Sequence, residues 1–476
     1  MQIKMCAATG VHRVAEPLRC RTTSRTSLPT GEKASARFPL NALDHAMAEG
    51  LAEVVFLYRN TLDPSRLQQS LQSTLRDFPV LCGQLRVEPD GSLSVGYPHP
   101  GASFTVSSCG LTLAQVASGL HGEYPVYEFI EQINPLLLKL RGRPLLTCRL
   151  TRMEGGGSAL GISCAHTVAD GYSFYYFIRH WSQVHEGLTA GRPWHDRSAL
   201  QPDAQELILP AELPAACNGF RLFTRGEMLR LISSFLMRRN SIVCSVLRFT
   251  RAQLTAIKNA AGRQGPVSLN DALSAHLWQL CTKLQKAAHP DAPRKLLFGA
   301  GMRSKIDHPL SAHYFGNALS NVVVAGTAGE LTGGALSCAA GRCRRQVAVL
   351  DVQYLRGQMR WLRGQEQRRQ MRRVFADVNP YAGDCVVSSL FKLPIYNACF
   401  DGHKPFLAGV PAVPIPWVLY LLPAPDESGG VVVCANLPRS AAEKLKRDEW
   451  QAELYKYGEA GDDTAGCAPG EDQEYV

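Results

Sequence analysis

The chain contains no run of the roughly eighteen apolar residues that a membrane-crossing helix requires. Its most apolar late segment, residues 410–422, is broken by Pro411, Pro414 and Pro416, so a membrane span is excluded. It also lacks any CxxC pair and any ladder of cysteine and histidine at metal-ligand spacing, although it holds 15 cysteines. Their odd number and their place inside apolar runs (Cys82, Cys148, Cys244, Cys281, Cys434) predict buried free thiols of a reducing compartment, with no metal. Charged residues make up only 19% and hydrophobic residues 45%, the balance of an ordinary globular protein. At 476 residues the chain is long enough for two core-bearing domains.

Acidic residues are scarce at the start and crowded at the end. Residues 1–37 hold only Glu16 and Glu32 among several Arg, Ser and Thr, a composition shared with organellar transit peptides. The alternative there is an opening edge strand at Val11–Val14, ahead of Pro17, in a cytoplasmic protein. From Asp448 onward nine acids face one lysine, Lys456, so the net charge of +10 becomes +18 when that tail is set aside. Ten arginines between Arg342 and Arg373 are opposed only by Asp351 and Glu366. No aromatic or glycine interleaving marks a nucleic-acid motif there, and a solvated basic helix face is expected, with a share in holding an anionic cofactor as the other reading.

Periodicity sets out an α/β organisation. Strands are expected at 53–58, 145–151 and 159–165, with a hairpin over 79–95 turning at Pro89-Asp90-Gly91. Asp63-Pro64 opens a helix whose Leu67, Leu71, Leu75 and Phe78 fall on one face. Residues 187–242 lack a clean period except at 228–236 and read as the interdomain crossover. A second strand–helix–strand unit follows: strand 243–249, a helix after Thr250, a helix capped by Ser268, and strands near 296–299, 319–325, 385–391, 417–422 and 431–437. The domains are therefore drawn as 1–215, a crossover at 216–242, 243–447, and an acidic, disordered tail at 448–476.

The hexapeptide His166-Thr167-Val168-Ala169-Asp170-Gly171 stands between the apolar strand 158–165 and the aromatic helical run 172–184. An imidazole at a strand end is well placed to move a proton near neutral pH. Asp170 is an N-cap for the following helix or a partner for a distant cation, and Gly171 marks a conformation or close approach that a Cβ would obstruct. Cys164, two residues before His166 and on the same strand face, is a competing nucleophile or simply core. Tyr172, Tyr175 and Tyr176 line an acceptor pocket or pack as a stripe. His276, on an apolar helix, is expected to be a satisfied core histidine.

Several further stretches extend this pattern: 40–44, 75–85, 144–181, 268–278, Met302–Lys305 with Tyr314–Asn317, 387–396 and 400–405. In that order they resemble the BAHD family of acyl-CoA-dependent acyltransferases, within the HxxxD transferases, over roughly residues 40–447. The family's second signature reads Asp-Phe-Gly-Trp-Gly-Lys-Pro. Here Cys399–Pro405 keep only Phe400, Lys404 and Pro405, with Asp401 two positions from the expected acid, and Leu390 replaces the tryptophan that follows Ser388 and Ser389.

The resemblance implies a two-domain chloramphenicol-acetyltransferase-like fold. Each domain would be a mixed β-sheet with flanking helices, with an active-site channel between them and a segment near 385–403 completing the first sheet. It implies an enzyme of secondary metabolism that moves an acyl group from acyl-CoA, a co-substrate, to a hydroxyl or amine of a small metabolite. No cofactor would be bound permanently, no nucleic acid or membrane span is expected, and a monomer would suffice. His166 would be the general base, with Asp170, Gly171, Arg303 and Asn317 supporting the site. Arg303 would pair with Asp170 or contact a cofactor phosphate, and Ser388, Ser389, Lys404 and Tyr172 are weaker candidates for substrate or CoA contacts. The other readings are transfer from a carrier-bound thioester, disfavoured by Ala165 where a second histidine would stand, and a catalytically silent binding relative, favoured by the altered second signature.

Overall fold

Twelve strands build the two main sheets: β1 (Arg21–Leu28), β2 (Leu51–Tyr58), β3 (Ala102–Thr112), β4 (Leu146–Glu154), β5 (Ser158–Ala165), β6 (Ile242–Phe249), β7 (Pro293–Gly301), β8 (Leu319–Thr327), β9 (Cys385–Ser389), β10 (Leu407–Gly409), β11 (Val418–Pro423) and β12 (Val431–Pro438). The computed structural model describes residues 20–29, 37–97, 101–119, 126–134, 137–139, 143–200, 219–305, 312–426 and 428–458. The first sheet runs β1-β3-β4-β5-β2-β10 and the second β6-β12-β11-β9-β7-β8. Both are mixed. β3 and β4 are parallel, as are β7 with β9 and β9 with β11, and the remaining neighbours are antiparallel.

Local chemistry fixes the helices that matter for the site. Helix α1 (Ala42–Ala46) opens with a capping box in which Asn41 accepts from the Asp44 amide and Asp44 accepts from the Asn41 amide. Helix α2 (Pro64–Leu75) has Pro64 in its first turn and Asp63 as N-cap. Its Leu67, Leu71 and Leu75, with Phe78 beyond it, are fully buried against the first sheet, as their spacing predicts. Helix α3 (Gly171–His185) starts at the Asp170 N-cap and buries Phe174, Phe177, Ile178 and Trp181. Helix α4 (Arg225–Arg238) has a Thr224–Glu227 capping box. Helix α5 (Leu269–Gln285), capped by Ser268 and Asp271, is buried at almost every residue from Asp271 to Leu284, not merely along the Leu273–Leu277–Leu280 stripe. A helix covered on all sides has no polar face to show. The Arg-rich region forms two helices, Leu336–Ala348 and Val352–Gln367, and α6 (Asp448–Leu454) closes the described chain.

Three expectations change. The segment that completes the first sheet is not 385–403. The apolar β9 is an interior strand of the second sheet, between β7 and β11, and the strand that crosses is β10, which pairs with β2 through Leu407↔Leu57 and Gly409↔Val55. Ahead of it, Ile395, Ala398 and Phe400 already pack in the first core. Within the expected crossover, Phe220–Leu222 pairs with Val374–Ala376, and α4 follows, so 219–242 is ordered onto the second half; residues 201–218 lie outside the described residues. The acidic tail begins as a helix because Leu454 is buried, its carbonyl accepts from His276 Nε2 at 2.7 Å, and Lys283 pairs with Glu453 at 2.6 Å. Burial holds the His276 imidazole down to about 4, so it is a neutral, satisfied core group. Among the described residues an edge strand runs over Arg21–Leu28, paired with β3; the strand expected at Val11–Val14 lies outside the described residues.

The halves meet through apolar contact as well as through the crossing strand. The core beneath the first sheet continues into Phe315, Leu422, Val432 and Cys434 of the second half. No helix among the described residues is long and apolar enough to cross a membrane.

Candidate active site

His166 leaves the end of β5 at the seam between the halves. Its amide donates to the Gly50 carbonyl at 3.0 Å, which extends the β2–β5 pairing by one step. A Cβ on Gly50 would stand 3.2 Å from the His166 Cβ, so the small residue lets the two backbones close together. The imidazole is partly exposed, whereas Ala165 and Thr167 on either side of it are buried.

The amide of Asn317 fixes the state of that ring. Asn317 Nδ2 donates to Asp44 Oδ1 and to the His166 carbonyl, each at 2.8 Å. Both partners are acceptors, so the amide orientation follows from chemistry: the flipped amide would aim its oxygen at two other oxygens. Asn317 Oδ1 therefore faces His166 Nδ1 at 3.1 Å, and Nδ1 carries the proton it donates there. In a neutral ring this leaves Nε2 with its lone pair.

Beneath Asn317 lies a buried ion pair. Asp44 has no exposed surface, and its Oδ2 accepts from Arg197 Nε at 2.9 Å. Arg197 also donates to the carbonyls of Val168, at 2.9 Å, and Phe315, so one guanidinium binds the histidine loop to the segment carrying Asn317. Burial opposes the Arg197 charge, but Asp44 outweighs it and the guanidinium is held above its ordinary range. Neither role is evident in the sequence. Asp44 lies in the resembling stretch 40–44 without a function attached, and Arg197 falls in the aperiodic stretch 187–242, where no pattern singles it out.

Asp170 does two jobs at once. It caps α3, accepting from the Ser173 amide at 2.9 Å, and it forms a bidentate pair with Arg303, both contacts at 2.9 Å. A fourth bond comes from the Ala318 amide at 2.9 Å. Burial alone would raise the carboxyl; Arg303 and the two backbone donors prevail and hold it below its ordinary range. With both oxygens engaged, Asp170 does not orient His166. Arg303 is committed to this pair, to Ser173 Oγ and to the Gly316 carbonyl rather than set out toward a phosphate.

The other candidates divide. Gly171 has no left-handed φ, and the nearest atom to a Cβ there is Leu390 Cδ2 at 3.4 Å, an ordinary contact; the need for glycine is weaker than the sequence suggests. The same contact brings the end of β9 to the histidine loop, with Ser388 and Ser389, both partly exposed, just before Leu390. Tyr172 keeps 38% of its surface exposed, with its hydroxyl and one ring face engaged by the protein. Its hydroxyl donates to the Ala312 carbonyl at 3.1 Å and its ring is covered by the Arg303 guanidinium at 4.4 Å. Lys404 is exposed in a surface groove with Ser182, Gln183 and Glu186, at the opposite end of α3 from Gly171, roughly 20 Å away by helical rise. It is not part of this cluster. Cys164 is enclosed in the first core, and burial pushes its thiol up to about 12, the reverse of an activated nucleophile.

The altered second signature is rebuilt around Asp401, whose backbone adopts φ +53°. Its carboxylate accepts from the Asp63 amide at 2.8 Å, Arg66 at 2.5 Å and His185 Nε2 at 3.0 Å, tying the loop to α2 and to the end of α3. Phe400 lies buried between Trp181, with ring centroids 4.8 Å apart, and His185, at 5.2 Å.

A family model described as "Transferase family" matches residues 21–452, most of the chain. The chain belongs to this family, the BAHD acyltransferases. It is 25% identical over 431 residues to a hydroxycinnamoyltransferase of Narcissus pseudonarcissus, covering 87% of this chain and 95% of that one. It is 24% identical to shikimate O-hydroxycinnamoyltransferase of Nicotiana tabacum, with 80% and 88% covered. Among solved structures, TRI101 of F. sporotrichioides complexed with coenzyme A and T-2 shares its fold, with a TM-score of 0.69 at 18% identity over 88% of this chain and 98% of that one. The protein is accordingly an acyl-CoA-dependent acyltransferase of two-domain α/β fold, transferring to a hydroxyl or an amine.

Proposed function

We propose that this BAHD acyltransferase acylates a small metabolite directly, with His166 as general base and no acyl-enzyme intermediate. The observation that carries the reading is the Asn317 amide: by accepting the Nδ1 proton it leaves Nε2 as the basic nitrogen. As the acceptor oxygen or nitrogen attacks the thioester carbonyl, its proton passes to His166 Nε2. The tetrahedral intermediate then collapses, the C–S bond breaks, and the imidazolium returns the proton to the departing thiolate. Proton transfer of this kind contributes on the order of 10²–10⁴-fold, and holding the two substrates together supplies much of the rest.

Supporting this reading, Asp170, Arg303, Asp44 and Arg197 are all consumed in holding the loop, so His166 alone is left to handle the proton. The burial of Cys164 argues against a covalent route. Ser388 and Ser389, across the seam, are the groups proposed to meet the acyl carbonyl or the pantetheine, since Leu390 offers no donor. One chain supplies every residue used, so a monomer suffices. The hydroxycinnamoyl relatives suggest an aromatic acyl donor. A thiol-release assay with acetyl-, malonyl- and hydroxycinnamoyl-CoA against a panel of alcohols and amines tests the proposal. Acceptor-dependent release supports it, whereas binding of CoA without transfer to any acceptor favours the silent relative.

A further inference from the structure

Helix α4 is apolar on two sides, but only one of them has a partner among the described residues. Phe235 is its one fully buried residue, and Met228, Leu231 and Ile232 are half-buried on the same side. The other side presents Leu229, Leu236 and Met237 to solvent, at 59%, 48% and 73% exposure. At about 100° per residue these three fall within an arc of roughly 100°, which Ser233 and Gly226 share as small exposed residues. Arg225 borders the stripe on one side and Arg230 on the other. Glu227, the only acid of the helix, points elsewhere: it is tied to Arg221 and to the Thr224 cap. Among the described residues neither Arg225 nor Arg230 forms an ion pair with a carboxylate.

An apolar stripe between unpaired arginines has a definite chemical complement. The stripe calls for a hydrocarbon environment, and the guanidinium groups for anions at its border, reached by side chains whose stems lie along the apolar layer. A bilayer surface rich in anionic lipid offers both in one plane. The net charge of +10 adds long-range attraction to the same surface. We propose that α4 is a peripheral membrane-docking element that lays Leu229, Leu236 and Met237 among acyl chains while Arg225 and Arg230 meet headgroup phosphates. This docking is independent of the acyl-transfer chemistry, since α4 supplies no residue to the His166 site.

Co-sedimentation of the full chain with vesicles of phosphatidylcholine alone, and of phosphatidylcholine mixed with phosphatidylserine, tests it. Binding is expected to the mixed vesicles only and to weaken as salt is raised. A Leu229→Ser/Leu236→Ser/Met237→Ser variant should lose at least about tenfold in bound fraction. An Arg225→Gln/Arg230→Gln variant should keep only weak binding with a shallower salt dependence. Both should retain parental melting temperature and parental turnover of water-soluble substrates. The proposal is overturned if the parent stays in solution with mixed vesicles, or if the serine variant binds as the parent does. It is equally overturned if the serine substitutions abolish a concentration-dependent self-association in the ultracentrifuge without changing vesicle binding, which would give the face to a second copy of this chain.

Discussion

Asn317 and His166 hold each other at two points: the amide nitrogen donates to the His166 carbonyl, and the amide oxygen accepts from the ring. Backbone position and ring tautomer of the proposed base are thus set by one side chain, itself anchored on Asp44. Asn317→Ala should cut kcat by roughly 10–100-fold while KM for acyl-CoA changes little, because the ring loses orientation and not its substrate contacts. The check is kinetics of a variant that melts as the parent does; an unchanged kcat would contradict the orienting role.

The Arg303–Asp170 pair should matter for stability before it matters for rate. Arg303→Met leaves a buried carboxylate with only backbone donors, at a cost of roughly 3–5 kcal/mol. The pH dependence has a definite sign. In the parent the folded-state pKa of Asp170 lies below its ordinary 3.8, so its contribution is fully present above that value and is lost only on deeper acidification. In the variant, burial without the guanidinium raises the group. The gap in melting temperature between parent and variant should be widest near neutral pH and shrink toward pH 4. A gap that is constant with pH would contradict the pairing.

Glu53 behaves in the opposite way. Burial in β2, only partly offset by the Ser163 hydroxyl at 2.7 Å, raises its carboxyl from 4.5 to about 7. A raised carboxyl destabilises the folded state above its unfolded pKa, increasingly between 4.5 and about 7 and fully beyond. Glu53→Gln should therefore melt higher than the parent at pH 8, with the advantage fading as pH falls toward 4.5. Thermal scans across that range check it.

Asp401 replaces the acid of the expected second signature by position in space rather than in sequence. Asp401→Asn tolerates the left-handed φ but loses the ionic bond to Arg66 and weakens the hydrogen bond from His185, and should cost about 1–3 kcal/mol in urea unfolding while kcat is preserved. Asp401→Ala adds backbone strain and should be less stable still.

Cys164→Ala should keep most of the turnover and lose roughly 1 kcal/mol of stability through the small cavity. Complete loss of activity in a folded variant would restore the acyl-enzyme route.

Much of this architecture is legible from local pattern. Leu67, Leu71 and Leu75 reveal their helix by spacing, Ser268 and Asp271 reveal a cap, and the hexapeptide lies where a strand hands over to a helix. What escaped the sequence depends on distance or polarity. β1 is an exposed edge of Arg, Thr and Ser without an apolar signal, and the apolar alternation of β3 is short, Ala102, Phe104 and Val106 ahead of a Ser-Ser-Cys-Gly run. Crossing by β10 depends on three residues, Leu407–Gly409, too few to show a period. Asp44 meets Arg197 across 153 positions and Asp401 meets Arg66 across 335, pairings that no local spacing encodes. A motif match fixes the position of Lys404 along the chain but not its place at the far end of α3 from the histidine loop.

The most direct test of the central claim is single-turnover acyl transfer by His166→Ala, measured beside calorimetric binding of coenzyme A. The account predicts that binding is largely retained while the transfer step slows by about 10²–10⁴-fold. Transfer at the parental rate in that variant would contradict it.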